Sequence, residues 1–146
     1  MSVREVPFPL TDNDSAITEA DGVAATWSDI WDYQVPPGMA LKLTPQDTFA
    51  LYLEDTSPAV VGDATCEVEI VVRNAAGTDN QSVYGPALYF LSKEFQEGPK
   101  MAKLASHMEV GPRQRLVIRA KDDGTIDASD SYFELLTTRI LEAMGV

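Results

Sequence analysis

The chain has 146 residues, 45% of them hydrophobic, and its 23 acidic residues outnumber its 11 basic ones to give a formal net charge of -12. Such a length predicts one domain with a single core, and no continuous apolar stretch approaches the roughly 20 residues that a membrane helix needs. For that reason we expect no membrane partner and a protein that is soluble as synthesised. A field this negative repels phosphate backbones, so we also expect no nucleic-acid partner.

The first 22 residues are expected to form an extended N-terminal arm. Two early prolines and the polar run at 11–15 argue against a packed element there. The apolar residues of this segment are too sparse to build a core of their own. We therefore predict an arm at 1–22 that anchors on a partner, and a folded domain at 23–146 that survives removal of the arm. The predicted anchoring residues are Phe8, Leu10 and Ile17.

An aromatic, partly alternating run from about Ala24 to Val35 predicts the first strand of the domain. In an extended strand Trp27, Trp31 and Tyr33 would share one face. Such a stripe can dock a partner or stack on a sugar, and it can equally be core. We include Trp27 and Trp31 among the predicted partner-binding residues.

Period-two patterns then follow, separated by turn residues, and they predict half-buried strands. Met39 to Leu43 and Thr48 to Glu54 carry their apolar residues on odd positions, and Cys66 to Arg73 carries them on even positions. Cys66 is the only cysteine, so an internal disulfide is excluded and a small core residue is predicted. In the run from Val83 to Leu91, Gly85-Pro86 predicts an edge strand or a bulge.

The C-terminal third is harder to interpret. Lys93 to Met108 allows a short helix, because Leu104 and Met108 are four residues apart. Arg115 to Ala120 is typical of a strand, and for Tyr132 to Leu141 we prefer a strand over a helix. Seven or eight short strands predict an all-β fold, an antiparallel β-sandwich of jelly-roll type with an extended N-terminal arm.

Residues that carry chemistry are scarce. His107 is the only histidine, and no phosphate-binding loop is present, so nucleophilic catalysis and nucleotide binding lack their motifs. The acidic stretch after Lys121 could hold a structural cation, although it lacks the ligand order of an EF-hand and could equally be a solvated turn. No cofactor is otherwise expected. The candidate metal ligands are Asp122, Asp123, Asp127 and Asp130.

Two stretches carry a family resemblance. Tyr33 to Asp55, with its Val-Pro-Pro-Gly entry and its Pro45-Gln46-Asp47 break, resembles small β-sandwich proteins of tailed-virus heads, and so does Val110-Gly111-Pro112 before Leu116-Val117-Ile118. The resemblance implies a non-enzymatic capsid accessory that decorates or cements a major capsid protein lattice as an oligomer, commonly a trimer. It would lie on the virion surface after a soluble stage in the host cytoplasm.

Two other functions are weighed against this one. A carbohydrate-binding sandwich module would need Trp27 or Trp31 exposed, and an enzyme would need a cleft with facing carboxylates. The acidic composition also suits a salt-rich cytoplasm, where screening relieves self-repulsion, so we expect a halophilic, haloarchaeal host, with an acidic protein from an ordinary host as the alternative.

Overall fold

The computed structural model describes residues 3–18, 26–55, 65–90, 100–122 and 126–143. All regular elements in these ranges are strands. They are β1 (Val3–Pro7), β2 (Leu10–Thr11), β3 (Thr26–Gln34), β4 (Met39–Leu43), β5 (Thr48–Asp55), β6 (Thr65–Arg73), β7 (Asn80–Phe90), β8 (Lys100–Lys103), β9 (Met108–Val110), β10 (Arg115–Asp122), β11 (Ile126–Leu135) and β12 (Arg139–Ala143).

The strands pair antiparallel in three sheets with the orders β1-β12-β4-β9, β2-β11-β5-β8 and β3-β10-β6-β7. The first two sheets are halves of one larger sheet. Leu43 pairs with Met108, and Thr48 pairs with Lys103, so the ladder resumes in the same register five residues further along both strands. Between them, the backbone N–H of Leu104 donates to the carbonyl of Asp47 at 3.1 Å.

Joining the halves gives eight long strands. Numbered in chain order, they form one sheet in the order 1-8-3-6 and a second in the order 2-7-4-5. This is the strand order of a jelly roll, so the predicted all-β antiparallel sandwich is confirmed. The predicted number of seven or eight strands agrees with the eight long strands. The four long strands of the larger sheet are each interrupted, so the described residues contain twelve strands in all.

The core lies between the two sheets. Trp31 of β3 packs against Phe133 of β11 with ring centroids 4.8 Å apart, and Phe49 of β5 packs against Tyr84 of β7 at the same distance. Cys66 is buried there, as predicted. These contacts join both sheets into one hydrophobic core.

Three local predictions have clear outcomes. The helix predicted near Leu104 and Met108 is wrong for residues 100–108, which form β8, a bend and β9; 93–99 lie outside the described residues. The strand preferred over a helix at 132–141 is confirmed, with a turn between β11 and β12. β7 is an edge strand with register shifts opposite Ile70, as Gly85-Pro86 predicted.

The N-terminal segment is extended, but its described part lies against the sandwich. β1 pairs with β12, β2 pairs with β11, and the backbone N–H of Thr18 donates to the carbonyl of Ile30 at 2.7 Å. The described part of the predicted arm is therefore held to its own sandwich by backbone pairing with strands from the far end of the chain. The domain boundary at residue 22 stays a prediction, since 19–25 lie outside the described residues.

Candidate functional site

The outer face of the β3-β10-β6-β7 sheet carries rows of paired charges. Cross-strand neighbours in an antiparallel sheet bring opposite charges within reach. Arg115 pairs with Asp32, Arg119 with Glu69 at 3.2 Å, and Lys121 with Glu67 at 3.8 Å. Arg73 binds Asp29 through two bonds of 2.5 and 2.9 Å. Among the described side chains of this face, four cations match four anions, so the face is neutral in a chain of net charge -12.

Two valines lie beneath these charges. Val117 of β10 and Val71 of β6 are opposite each other in the ladder and are 0% and 1% exposed, although they point away from the core between the sheets. The aliphatic stems of long charged residues can cover such apolar groups while their head groups stay in water. We call this surface, built by the four ion pairs around Val71 and Val117, the ion-paired face.

The pair between Arg73 and Asp29 is the electrostatic centre of the ion-paired face. The hydrogen bond from Arg73 is the largest influence on the pKa of Asp29 and lowers it below its ordinary value of 3.8; partial burial opposes this, and the charges of Arg73, Arg119 and Arg115 add to it. The bond to Asp29 in turn raises the pKa of Arg73. A two-bond guanidinium–carboxylate pair is geometrically specific, so it fixes β3 against β6 across the intervening β10.

The two tryptophans lie on opposite faces of β3, which corrects the predicted aromatic stripe. In the ladder with β10, Trp31 pairs with Ile118 and Asp29 with Arg119, so Ile30 is an extra residue at a bulge. One extra residue reverses which side chains face the core. Trp31 is 2% exposed and packs in the core, whereas Trp27 lies on the ion-paired face with the Arg119 guanidinium 5.1 Å from its ring.

The predicted anchoring residues of the arm are mostly used within the subunit. Leu10 and Ile17 are buried in its own core, and Phe8 is half-buried, with its ring 5.8 Å from that of Tyr33. Of the three, Phe8 alone keeps surface for a partner. Leu10 is buried because β2 extends the larger sheet next to β11, and Ile17 precedes Thr18, whose backbone N–H donates to the carbonyl of Ile30 in β3.

The four predicted cation ligands are only partly within the described residues. Asp123 and the side chains of Asp122 and Asp127 lie outside the described part, and Asp130 is exposed. The described residues contain no group of three or more metal-binding side chains. Asp122 is the last residue of β10, and Asp127 and Asp130 belong to β11. Cation binding by these residues stays a prediction.

A polar groove of about 370 Å³ lies on the large sheet, where its two halves meet. Glu5 lies between Lys42 and Arg139 at 3.6 and 3.7 Å. Asp47, also in the lining, is buried and accepts hydrogen bonds from the backbone N–H of Thr44 at 2.8 Å and from Thr137. Its carboxylate therefore holds the turns together. Glu5 and Asp47 are both engaged, so the groove does not supply the free carboxylate pair that an enzyme would need.

Sequence reasoning missed the ion-paired face. Arg73, Arg115 and Arg119 stand out as basic residues within predicted strands, which is the one signal available. Their partners lie on β3. Asp29 is 44 residues away from Arg73, and Asp32 is 83 residues away from Arg115. Pairings over such separations follow from the topology, which alternation within one strand does not specify.

No protein-family model and no curated protein matches the chain. Among solved structures, the chain is similar to VP17, a capsid protein of bacteriophage P23-77, with a TM-score of 0.58 and 9% identity over 100% of both chains. It is also similar to a chain in the complex of VP16 and VP17, the two major capsid proteins of that phage, with a TM-score of 0.53 and 8% identity over 99% of this chain and 100% of that one. The chain thus shares its β-sandwich fold with these two solved structures.

None of the described residues forms a helix of the length and apolarity that would be required to cross a membrane.

Proposed function

We propose that the chain is a structural protein of a virus particle, part of its capsid and without enzymatic activity. The observation that carries the proposal is the fold: this chain has a jelly-roll strand order and is similar in structure to a phage capsid protein over the full length of both chains. A fold alone does not define a function, and jelly rolls also serve other roles. The features of this chain's surface provide the remaining support.

The ion-paired face supports a contact role. A chain of net charge -12 repels its copies and any acidic neighbour, and a neutral face is where such repulsion is weakest. Its charges already pair within the subunit, so a neighbour that packs there leaves no charge unmatched. We propose the ion-paired face, with Trp27 at its edge, as a surface that contacts the major capsid protein.

The finer assignment follows from the sequence resemblance. We propose that the chain decorates or cements the major capsid protein lattice as a homo-oligomer, a trimer, on the virion surface, after a soluble stage in the host cytoplasm. Its acidity supports a halophilic host. Phe8 and Trp27 are the predicted partner-binding residues that keep some surface for this role.

The carbohydrate-binding alternative has less support. That function needs an aromatic platform open to a sugar ring. Trp31 is buried in the core, and Trp27 is partly covered by Arg119. Neither tryptophan is exposed, and we do not favour this reading.

The test is the location of the chain in virus particles. Particles from cells that encode it are purified on a density gradient and labelled with an antibody against the folded chain. We expect the chain to migrate with the major capsid protein and to be labelled on the particle surface. Purified particles that contain none of the chain would contradict the proposal. Its release from particles that stay intact would distinguish a decorating protein from a shell-building one.

A further inference from the structure

The two edges of the β2-β11-β5-β8 half-sheet carry opposite charge. Of the ten described basic residues, seven form ion pairs, and the three that do not are Lys100, Lys103 and Arg113. Lys100 and Lys103 both lie on β8, which is the edge strand. In a chain with twice as many acids as bases, this clustering of unmatched cations on one edge is the feature to be explained.

Exposed apolar side chains accompany these lysines. Met101 of β8 is 61% exposed, and Leu88 of β7 is 53% exposed. β7 is the edge strand of the facing sheet, and the Nζ of Lys100 donates to the carbonyl of Leu88 at 3.4 Å, so both edges lie on the same side of the sandwich. We call the surface of Leu88, Lys100, Met101 and Lys103 the basic edge. Further along the same side lie the exposed residues His107 and Glu109.

The opposite side of the sandwich is acidic. Asp12 and Asp14 follow β2, and Glu134 of β11 pairs with Thr11 of β2 in the ladder. None of these three carboxyl groups forms an ion pair within the described part of the chain. The half-buried rings of Phe8 and Tyr33 lie on this side as well, and Asp14 is close enough to Tyr33 to help raise its pKa, after the larger effect of burial. We call the surface of Phe8, Asp12, Asp14, Tyr33 and Glu134 the acidic edge.

We propose that the basic edge of one copy binds the acidic edge of the next. Each edge combines apolar groups with charges, and the two charge patterns are complementary. The edges lie on opposite sides of one subunit, so the contact is head-to-tail; such contacts form a closed ring, as the proposed trimer requires, when the rotation between copies closes. The inference rests on the proposed function, since it supplies the contact within the oligomer of a capsid protein.

Charge reversal with rescue tests this pairing. The first variant, K100E/K103E, has two acidic edges, and the second, D12K/E134K, has two basic edges. Asp14 is left unchanged because it accepts a hydrogen bond from the backbone N–H of Thr11 at 2.8 Å. Arg113→Glu is the control: Arg113 is an exposed cation without an ion pair, and it lies in the turn before β10, outside the residues that define the two edges.

Self-association of the purified full chain is measured by sedimentation at about 0.15 M salt, where charges act over about 8 Å. We expect each double variant to associate at least about a hundredfold more weakly than the natural chain, because like charges then meet. The control should associate normally. A quadruple variant, K100E/K103E/D12K/E134K, exchanges the charges of the two edges within one chain and should recover association. Circular dichroism confirms that each variant is folded.

Three results would overturn the proposal: a natural chain that stays monomeric, double variants that associate as the natural chain does, or a quadruple variant that fails to recover association. None of these bears on whether the chain is in the virus particle, because that is decided by antibody labelling of purified particles. Failure of the edge pairing and failure of the proposed function are therefore distinguishable.

Discussion

The hydroxyl of Thr137 donates a hydrogen bond of 2.6 Å to Oδ1 of Asp47, and this bond joins the two turns that interrupt the large sheet. Oδ2 of the same carboxylate accepts from the backbone N–H and the hydroxyl of Thr44. Asp47 is 5% exposed, so its charge is balanced mainly by these donors. It stabilises the point where β4 passes into β5 opposite the turn between β11 and β12.

Asp47→Ala should lower the free energy of unfolding by about 2 to 3 kcal/mol, because three bonds to a charged acceptor are lost and partly buried donors are left unpaired. Urea unfolding followed by tryptophan fluorescence measures the change. Glu109→Ala is the control: it removes an exposed carboxyl group and should change stability by no more than about 0.5 kcal/mol. Equal effects of the two substitutions would contradict the role given to Asp47.

The pair of Asp29 and Arg73 predicts a loss of stability in acid. The folded-state pKa of Asp29 is lowered, chiefly by the hydrogen bond from Arg73, so the pair's contribution is present above the ordinary pKa of 3.8 and is lost as the pH falls through the folded-state value. The Asp29 side chain is 45% exposed, so solvent screening keeps the contribution small.

A double-mutant cycle of Asp29→Asn and Arg73→Gln isolates this contribution. We expect a favourable coupling between the two side chains at about pH 6 that disappears by about pH 2. Measuring the free energy of unfolding of all four proteins at both pH values gives the coupling. A coupling that does not change with pH would show that the carboxylate charge is not its source.

The sequence predicted the sandwich because apolar and polar residues alternate within single strands such as β4 and β6. It failed where the arrangement depends on partners far along the chain. Leu10 and Ile17 are sparse in the sequence, yet β12 and β11, more than a hundred residues later, give their segment a sheet to join. Similarly, the bulge at Ile30 separates Trp27 from Trp31 by reversing the alternation, and nothing in the residue types around Ile30 marks an extra residue.

Leu10 provides a test of the packed N-terminal segment. Leu10→Ala should lower the free energy of unfolding by about 2 to 4 kcal/mol, because it leaves a cavity in the core. Val3→Ala, in the same segment but 60% exposed, is the control and should change it by no more than about 0.5 kcal/mol. Removal of residues 1–20 should destabilise the sandwich, contrary to the expectation from the sequence. If the truncated chain is as stable as the full chain, the folded domain does not need the N-terminal arm, as the sequence predicted.

The charge of -12 predicts stabilisation by salt. Residues without an ion pair in the described part, such as Asp12, Asp14 and Glu134, repel the rest of a negative chain, and at about 1 M salt the screening length falls to about 3 Å. The midpoint of thermal unfolding should rise from low to molar KCl. Calcium is tested separately at low ionic strength, because binding at the loop of 122–130 could raise the midpoint by itself. A flat or falling midpoint in KCl would count against the halophilic host.

Gly85 predicts a large effect from a single methyl group. Its φ is +83°, and an added Cβ would lie 2.5 Å from the carbonyl oxygen of Val68 and 3.0 Å from the nitrogen of Ala87, both backbone atoms of the bulged β6–β7 pair. Gly77 has a similar φ of +76° with open space around it. Gly77→Ala should therefore lower the free energy of unfolding by about 1 to 2 kcal/mol, the cost of a left-handed backbone. Gly85→Ala should lower it by about 1 to 3 kcal/mol more, because backbone atoms must move. Urea unfolding of both variants measures this. Equal losses in the free energy of unfolding would show that the backbone of β6 and β7 accommodates the added methyl group without strain.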